Sequence, residues 1–132
     1  MTKQEKQLLL IDLCARFPYG VKANIPLVDG DERIYTVSFD DMKDFVKGYI
    51  NIKPYLRPMS SMTEGERLEL SKLTDDKFKF YLYTTKPEIV CYEKYNYLEG
   101  LKVLDWLNAH HFDYRGLIQM GLALEATEGM YK

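Results

Sequence analysis

Val21-Lys22-Ala23-Asn24-Ile25-Pro26-Leu27 sets the fold class of this chain. Val21, Ala23, Ile25 and Leu27 alternate with Lys22, Asn24 and Pro26, which is the period of a strand with one buried face. Pro26 has no N–H to give a ladder, so this strand is expected at a sheet edge, or bulged there. Asp29-Gly30 reads as a turn. Tyr35, Val37 and Phe39 then alternate with Thr36 and Ser38 as a second strand. Asp40-Asp41 opens another turn, Phe45 to Ile50 reads as a third strand, and Ile52 to Leu56 as a short fourth. Sequential strands with short turns give an antiparallel β-meander or a small half-open barrel over about residues 20–58.

Outward from this core, both flanks read as helical. Thr2 and Glu5 have capping-box spacing, and Leu10, Leu13, Cys14 and Phe17 follow at helical intervals until Phe17-Pro18-Tyr19-Gly20 ends the segment. Ser61 with Glu64, or Thr63 with Glu66, starts a charged helix through about Leu73. Lys77 to Tyr83 is rich in aromatics and favours a strand, paired as a hairpin with Ile89 to Tyr92. A further helix starts near Asn96, with Leu101, Leu104 and Leu107 lining one side and Val103 and Trp106 beside them. It ends at two histidines, and Gly121 to Ala126 closes the chain with a short strand. The expectation is one α+β domain over residues 1–132. It has an N-terminal helix, a meander, and a mixed half over about 61–126 with two helices and a short hairpin.

At 132 residues the chain is long enough for one core. Apolar residues make up 46% and charged residues 29%, the balance of a globular domain. A formal charge of −2 gives no electrostatic ground for a phosphate-rich partner, so nucleic acid is not favoured. Cys14 and Cys91 lie far apart among apolar residues without a CxxC, which reads as buried free thiols in a reducing cytosol. The run Leu8-Leu9-Leu10-Ile11 is too short for a signal-peptide core or a membrane span, so the expected location is cytoplasmic.

Trp106 through Ile118 concentrates the specialised side chains: the sole Trp and both His, with Asp113, Tyr114 and Arg115 close behind. His110, His111 and Asp113 are of metal-ligand and acid–base type. Adjacent helical residues point about 100° apart, so the two imidazoles do not share an ion, and imidazoles at a helix C-terminus serve its free carbonyls. Asp113 and Arg115 are expected to pair with each other or to fix the preceding helix. Arg beside Tyr is also a common interface anchor. The candidate binding residues are therefore His110, His111, Asp113, Tyr114 and Arg115. As an alternative, Lys77, Lys79, Tyr81 and Tyr83 would share one hairpin face, where aromatics stack bases and cations follow the backbone. Walker, GxGxxG, GxSxG and HExxH motifs are missing, so no catalytic residue, metal or cofactor is assigned.

Lys53-Pro54-Tyr55-Leu56-Arg57-Pro58-Met59-Ser60-Ser61-Met62-Thr63-Glu64 and Asp105-Trp106-Leu107-Asn108-Ala109-His110-His111-Phe112-Asp113-Tyr114-Arg115-Gly116-Leu117-Ile118 form two signatures. Together with Leu13-Cys14-Ala15-Arg16, Pro18-Tyr19-Gly20-Val21 and Gly121 to Ala126, they resemble a family of small proteins of unassigned activity. These are encoded in gut Bacteroidales genomes, often in prophage-like or other mobile regions. The likeness spans the chain except residues 74–97, and Gln119 and Thr127 stand where many relatives carry proline. It implies an accessory protein of a mobile element or phage. The functional expectation is a non-enzymatic module that binds another protein, with a nucleic-acid domain as the alternative and an enzyme using His110, His111 and Asp113 third.

Overall fold

Helix α1 (Lys3–Arg16) starts where the Thr2 hydroxyl accepts the Glu5 N–H and the Glu5 carboxylate accepts the Thr2 N–H, a complete capping box. The computed structural model describes residues 1–26, 32–82, 87–91 and 97–131. A 3₁₀ turn at Phe17–Tyr19 closes on Gly20, whose φ of 70° suits a residue without Cβ. The chain continues as β1 (Lys22–Pro26), β2 (Glu32–Thr36), α2 (Phe39–Lys47), β3 (Lys53–Leu56) and a 3₁₀ turn at Met59–Ser61. It ends as α3 (Glu64–Leu73), β4 (Phe78–Leu82), β5 (Pro87–Cys91), α4 (Tyr97–Ala109) and β6 (Leu124–Glu125). The class is α+β. No described helix is long and apolar enough to cross a membrane.

The main sheet runs β2-β1-β3-β6, with β1 antiparallel to both neighbours and β3 parallel to β6. It does not close into a barrel. Phe45 to Ile50 is not a strand: α2 takes Phe45, because Ser38 and Asp41 form a reciprocal cap and Gly48 at φ 81° ends the helix. The meander thus loses its third strand to a helix and gains a parallel neighbour from the far end of the chain. Strand β1 is internal, not an edge. Pro26 is tolerated because β1 pairs with β3 only at Ala23 and Asn24, short of the proline. The Leu27 and Asn96 readings lie outside the described residues.

The inward face of α1 is Leu9 and Leu13 together with Asp12 and Arg16; of the expected Leu10, Leu13, Cys14 and Phe17 face, Leu13 is buried and Leu10 half-buried against the same cluster, while Phe17 is exposed and the Cys14 thiol is free and exposed. Leu9, Leu13, Val21, Ala23, Ile25, Phe45, Ile52, Leu56 and Leu117 belong to one apolar cluster. Met62, Leu70, Phe78, Phe80, Val103, Trp106, Leu107 and Phe112 form a second. Each such Leu or Phe, fully buried, contributes roughly 1.5–3 kcal/mol. Phe112 belongs to the second cluster and Leu117 to the first, so the turn between them joins the two. The β4–β5 hairpin forms with Phe78 opposite Cys91, and α3 begins at the Thr63–Glu66 capping box.

Candidate functional site

The residue-dense corner grows from the end of α4. The Phe112 N–H donates to the Leu107 carbonyl, and His111 takes the left-handed conformation at φ 60°. The two imidazoles diverge. His110 Nδ1 lies 2.8 Å from the Trp106 carbonyl, which only accepts, so Nδ1 carries a proton and Nε2 faces Glu69 at 4.0 Å. Its ring stacks on Trp106 with centroids 4.1 Å apart, and Trp106 Nε1 donates to Glu69 at 3.1 Å. His111 turns inward, 3% exposed, and stacks on Tyr131 at 3.7 Å. Burial, reinforced by the Arg16 charge, pushes its pKa down to about 4. Burial also pushes the Tyr131 phenol up to about 12.

Asp113 and Arg115 do not pair. The Asp113 carboxylate accepts the Leu117 and Ile118 N–H groups, both at 2.9 Å, and so builds the following turn. Arg115 reaches instead to Asp12 on α1, Nε to Oδ1 at 3.2 Å. Asp12 also holds Arg16, Nε to Oδ2 at 2.9 Å, and both side chains are fully buried. Arg16 Nη2 donates to the Phe112 carbonyl at 2.6 Å, and Tyr114 Oη donates to Asn108 at 2.8 Å. Asp12 and Arg16, absent from the sequence-based candidates, are the centre of this corner. Of the expected patch, His111 and Asp113 are buried, while His110, Tyr114 and Arg115 are half-buried. Among the described residues no group of three or more His, Cys, Asp or Glu is placed to hold a metal ion.

Beside the corner lies an open cleft of about 660 Å³ whose lining includes Arg57, Ser61, Glu66, His110, Glu125 and Tyr131. Arg57 stacks over the Phe112 ring at 4.2 Å and binds Glu66 bidentately, 2.7 Å at each oxygen. The hydrogen bonds from Arg57 hold the Glu66 carboxyl down at about 2. The cleft is thus floored by a pair that satisfies itself.

The Lys/Tyr face is altered too. Lys77 is half-buried with Nζ 2.7 Å from Glu99, Lys79 and Tyr81 are half-buried, and Tyr83 lies outside the described residues. Phe78 and Phe80 are core as expected, but Leu82 is 54% exposed.

The feature that sequence reasoning misplaced is on α4. Leu101 and Leu104 do not join Leu107 in the core. Val103, Trp106 and Leu107 face inward, whereas Tyr97 (78% exposed), Leu98 (65%), Leu101 (37%) and Leu104 (43%) face outward. At about 100° per residue, Tyr97, Leu101 and Leu104 fall within about 60° of one another, with Leu98 at their margin. The helix therefore carries two apolar faces, and among the described residues one is covered and the other is exposed.

Comparison with known protein families, with curated proteins and with solved structures returns no match.

Proposed function

We propose that the chain is a non-enzymatic module that binds protein, and that the outward stripe of α4 is its contact surface. The observation that carries this reading is the row Tyr97, Leu98, Leu101 and Leu104 left exposed on a helix whose opposite face is fully used in the core. A row with this spacing is what a partner reads when it takes up a helix face. Covering an exposed Leu side chain contributes on the order of 1–2 kcal/mol. The exposed Phe39, Val46 and Tyr49 around α2 make a lesser surface, because Lys43 and Lys47 interrupt them and Lys47 sits 6.0 Å over the Tyr49 ring.

On this reading the Asp12–Arg16–Arg115 corner supports the fold and does not touch the partner. The test is an affinity capture with wild type, Leu98→Asp/Leu101→Asp and Arg115→Ala, each verified as folded by circular dichroism. The expected result is a partner retained by wild type and by Arg115→Ala and lost by the stripe variant. A partner lost with Arg115→Ala and kept by the stripe variant would move the contact surface to the corner.

A further inference from the structure

We infer that the occupant of the α4 stripe is a second copy of this chain, with the two α4 helices packed antiparallel about a two-fold axis at Leu101. This rests on the stripe being a protein-contact surface and names its partner. A two-fold interface must be complementary to itself. An axis at Leu101 sets Leu101 against its own copy and puts Leu98 level with Leu104 of the second copy, three residues either side.

The charges select the direction. Lys102 and Asp105 are both exposed and both lie along the Leu98 margin of the stripe, where neither side chain makes an ion pair among the described residues. The opposite margin carries Gly100, which has no side chain to pair. A parallel arrangement sets the charged margin against the Gly100 margin and leaves both charges unpaired. An antiparallel arrangement sets the charged margin against itself. Asp105 of the second copy then falls five residues along from Lys102, about 7–8 Å at about 1.5 Å per residue, within the combined reach of the two side chains. Four side chains per copy make a small interface, below the roughly 800 Å² per partner of a standard one, so the pair dissociates on dilution.

Sedimentation velocity and light scattering on the full chain, from micromolar to millimolar concentration, read the result directly. Wild type is expected to move from 15.5 kDa toward about twice that mass as concentration rises. Leu98→Asp is expected to stay monomeric at every concentration. That carboxylate falls in the first turn of α4, where the helix dipole favours it, so loss of the dimer is not loss of the helix. Lys102→Glu and Asp105→Lys should each weaken the dimer roughly two- to fivefold, and the double swap should recover it. A monomeric wild type at millimolar concentration, a dimer indifferent to Leu98→Asp, or a double swap no better than the singles would each overturn the inference. If wild type is monomeric while a captured partner is still lost with Leu98→Asp/Leu101→Asp, the second copy is wrong and the protein-binding reading stands. If no stripe-dependent partner is found either, both fall.

Discussion

Replacing Asp12 by Ala tests how the corner is held together. Asp12 and Arg16 are fully buried, and the carboxylate is the counter-charge of both Arg16 and the half-exposed Arg115. Arg16 keeps one further bond, to the Phe112 carbonyl, and lies over the Tyr114 ring at 5.3 Å, while its Nη1 has no partner among the described residues. Asp12→Ala therefore leaves a guanidinium buried without an opposing charge. Breaking a buried pair from one side costs about 3–5 kcal/mol. That is a large share of the roughly 5–15 kcal/mol by which a domain is stable. For a chain of this length each kcal/mol moves the melting temperature by roughly 3–5 °C, so the midpoint should fall by about 9–25 °C.

Two companions separate the buried charge from general damage. Arg115→Ala should cost under about 1 kcal/mol, because Arg16 still satisfies Asp12 and the lost side chain is partly in water. Asp12→Leu with Arg16→Met removes both charges together and should recover most of the loss, since apolar replacement of a whole buried pair is often neutral. Urea unfolding of wild type, Asp12→Leu, Arg16→Met and the double variant closes a double-mutant cycle, with Asp12→Ala and Arg115→Ala measured beside it. An Asp12→Ala loss below about 1 kcal/mol, or a double variant as poor as the sum of the singles, would refute the claim that desolvated charge governs this corner.

Two further outcomes are expected. Because His111 is neutral in the fold at a pKa of about 4 against 6.5 unfolded, the unfolded chain binds the extra proton between those values. Stability is complete above pH 6.5 and should fall by up to about 3 kcal/mol as pH drops toward 4. Glu66, held at about 2 against 4.5, gives a second loss only below 4.5. His111→Asn, which keeps a residue tolerant of positive φ, should erase the first slope in urea midpoints at pH 7, 5 and 3 and leave the second; an unchanged first slope would assign it elsewhere. Ser38→Ala removes the acceptor that starts α2 and should cost about 1 kcal/mol. An unchanged urea midpoint would show that α2 is set by the packing of Phe45 alone.

What the sequence made legible was governed by bonds between near neighbours. The Thr2–Glu5 and Thr63–Glu66 caps, the Phe78–Leu82 strand and the α4 stop at the histidines each depend on residues three or four apart, or on local alternation. Ser38-x-x-Asp41 has the same spacing but carries a weaker signature. Asp stands where Glu or Gln is usual, and the alternation of Tyr35, Val37 and Phe39 runs straight into the helix start. The parallel pairing of Tyr55 with Leu124 and the reach of Arg115 to Asp12 join residues far apart in the chain, and no local pattern encodes them. Residue type misled at the corner for the same reason. His111 and Asp113 are reactive in kind, yet burial and backbone bonds engage both, and the partner of Arg115 lies 103 residues away.

Helix α4 shows why periodicity alone could not orient its own element. Val103, Trp106 and Leu107 recur at helical spacing, and so do Tyr97, Leu101 and Leu104, about half a turn round the helix. Either row satisfies an apolar-face criterion. The choice is made by Trp106, on the opposite side, whose Nε1 donates to Glu69. Trp106 also stacks with Phe112 at 5.7 Å. Turning the helix to bury Leu101 and Leu104 would break both contacts and expose the larger Trp106. The outward row is therefore not a core that failed to close. It is apolar surface beyond what this fold needs, on a helix already fixed by its other side, and the proposed protein contact rests on that contiguous surplus.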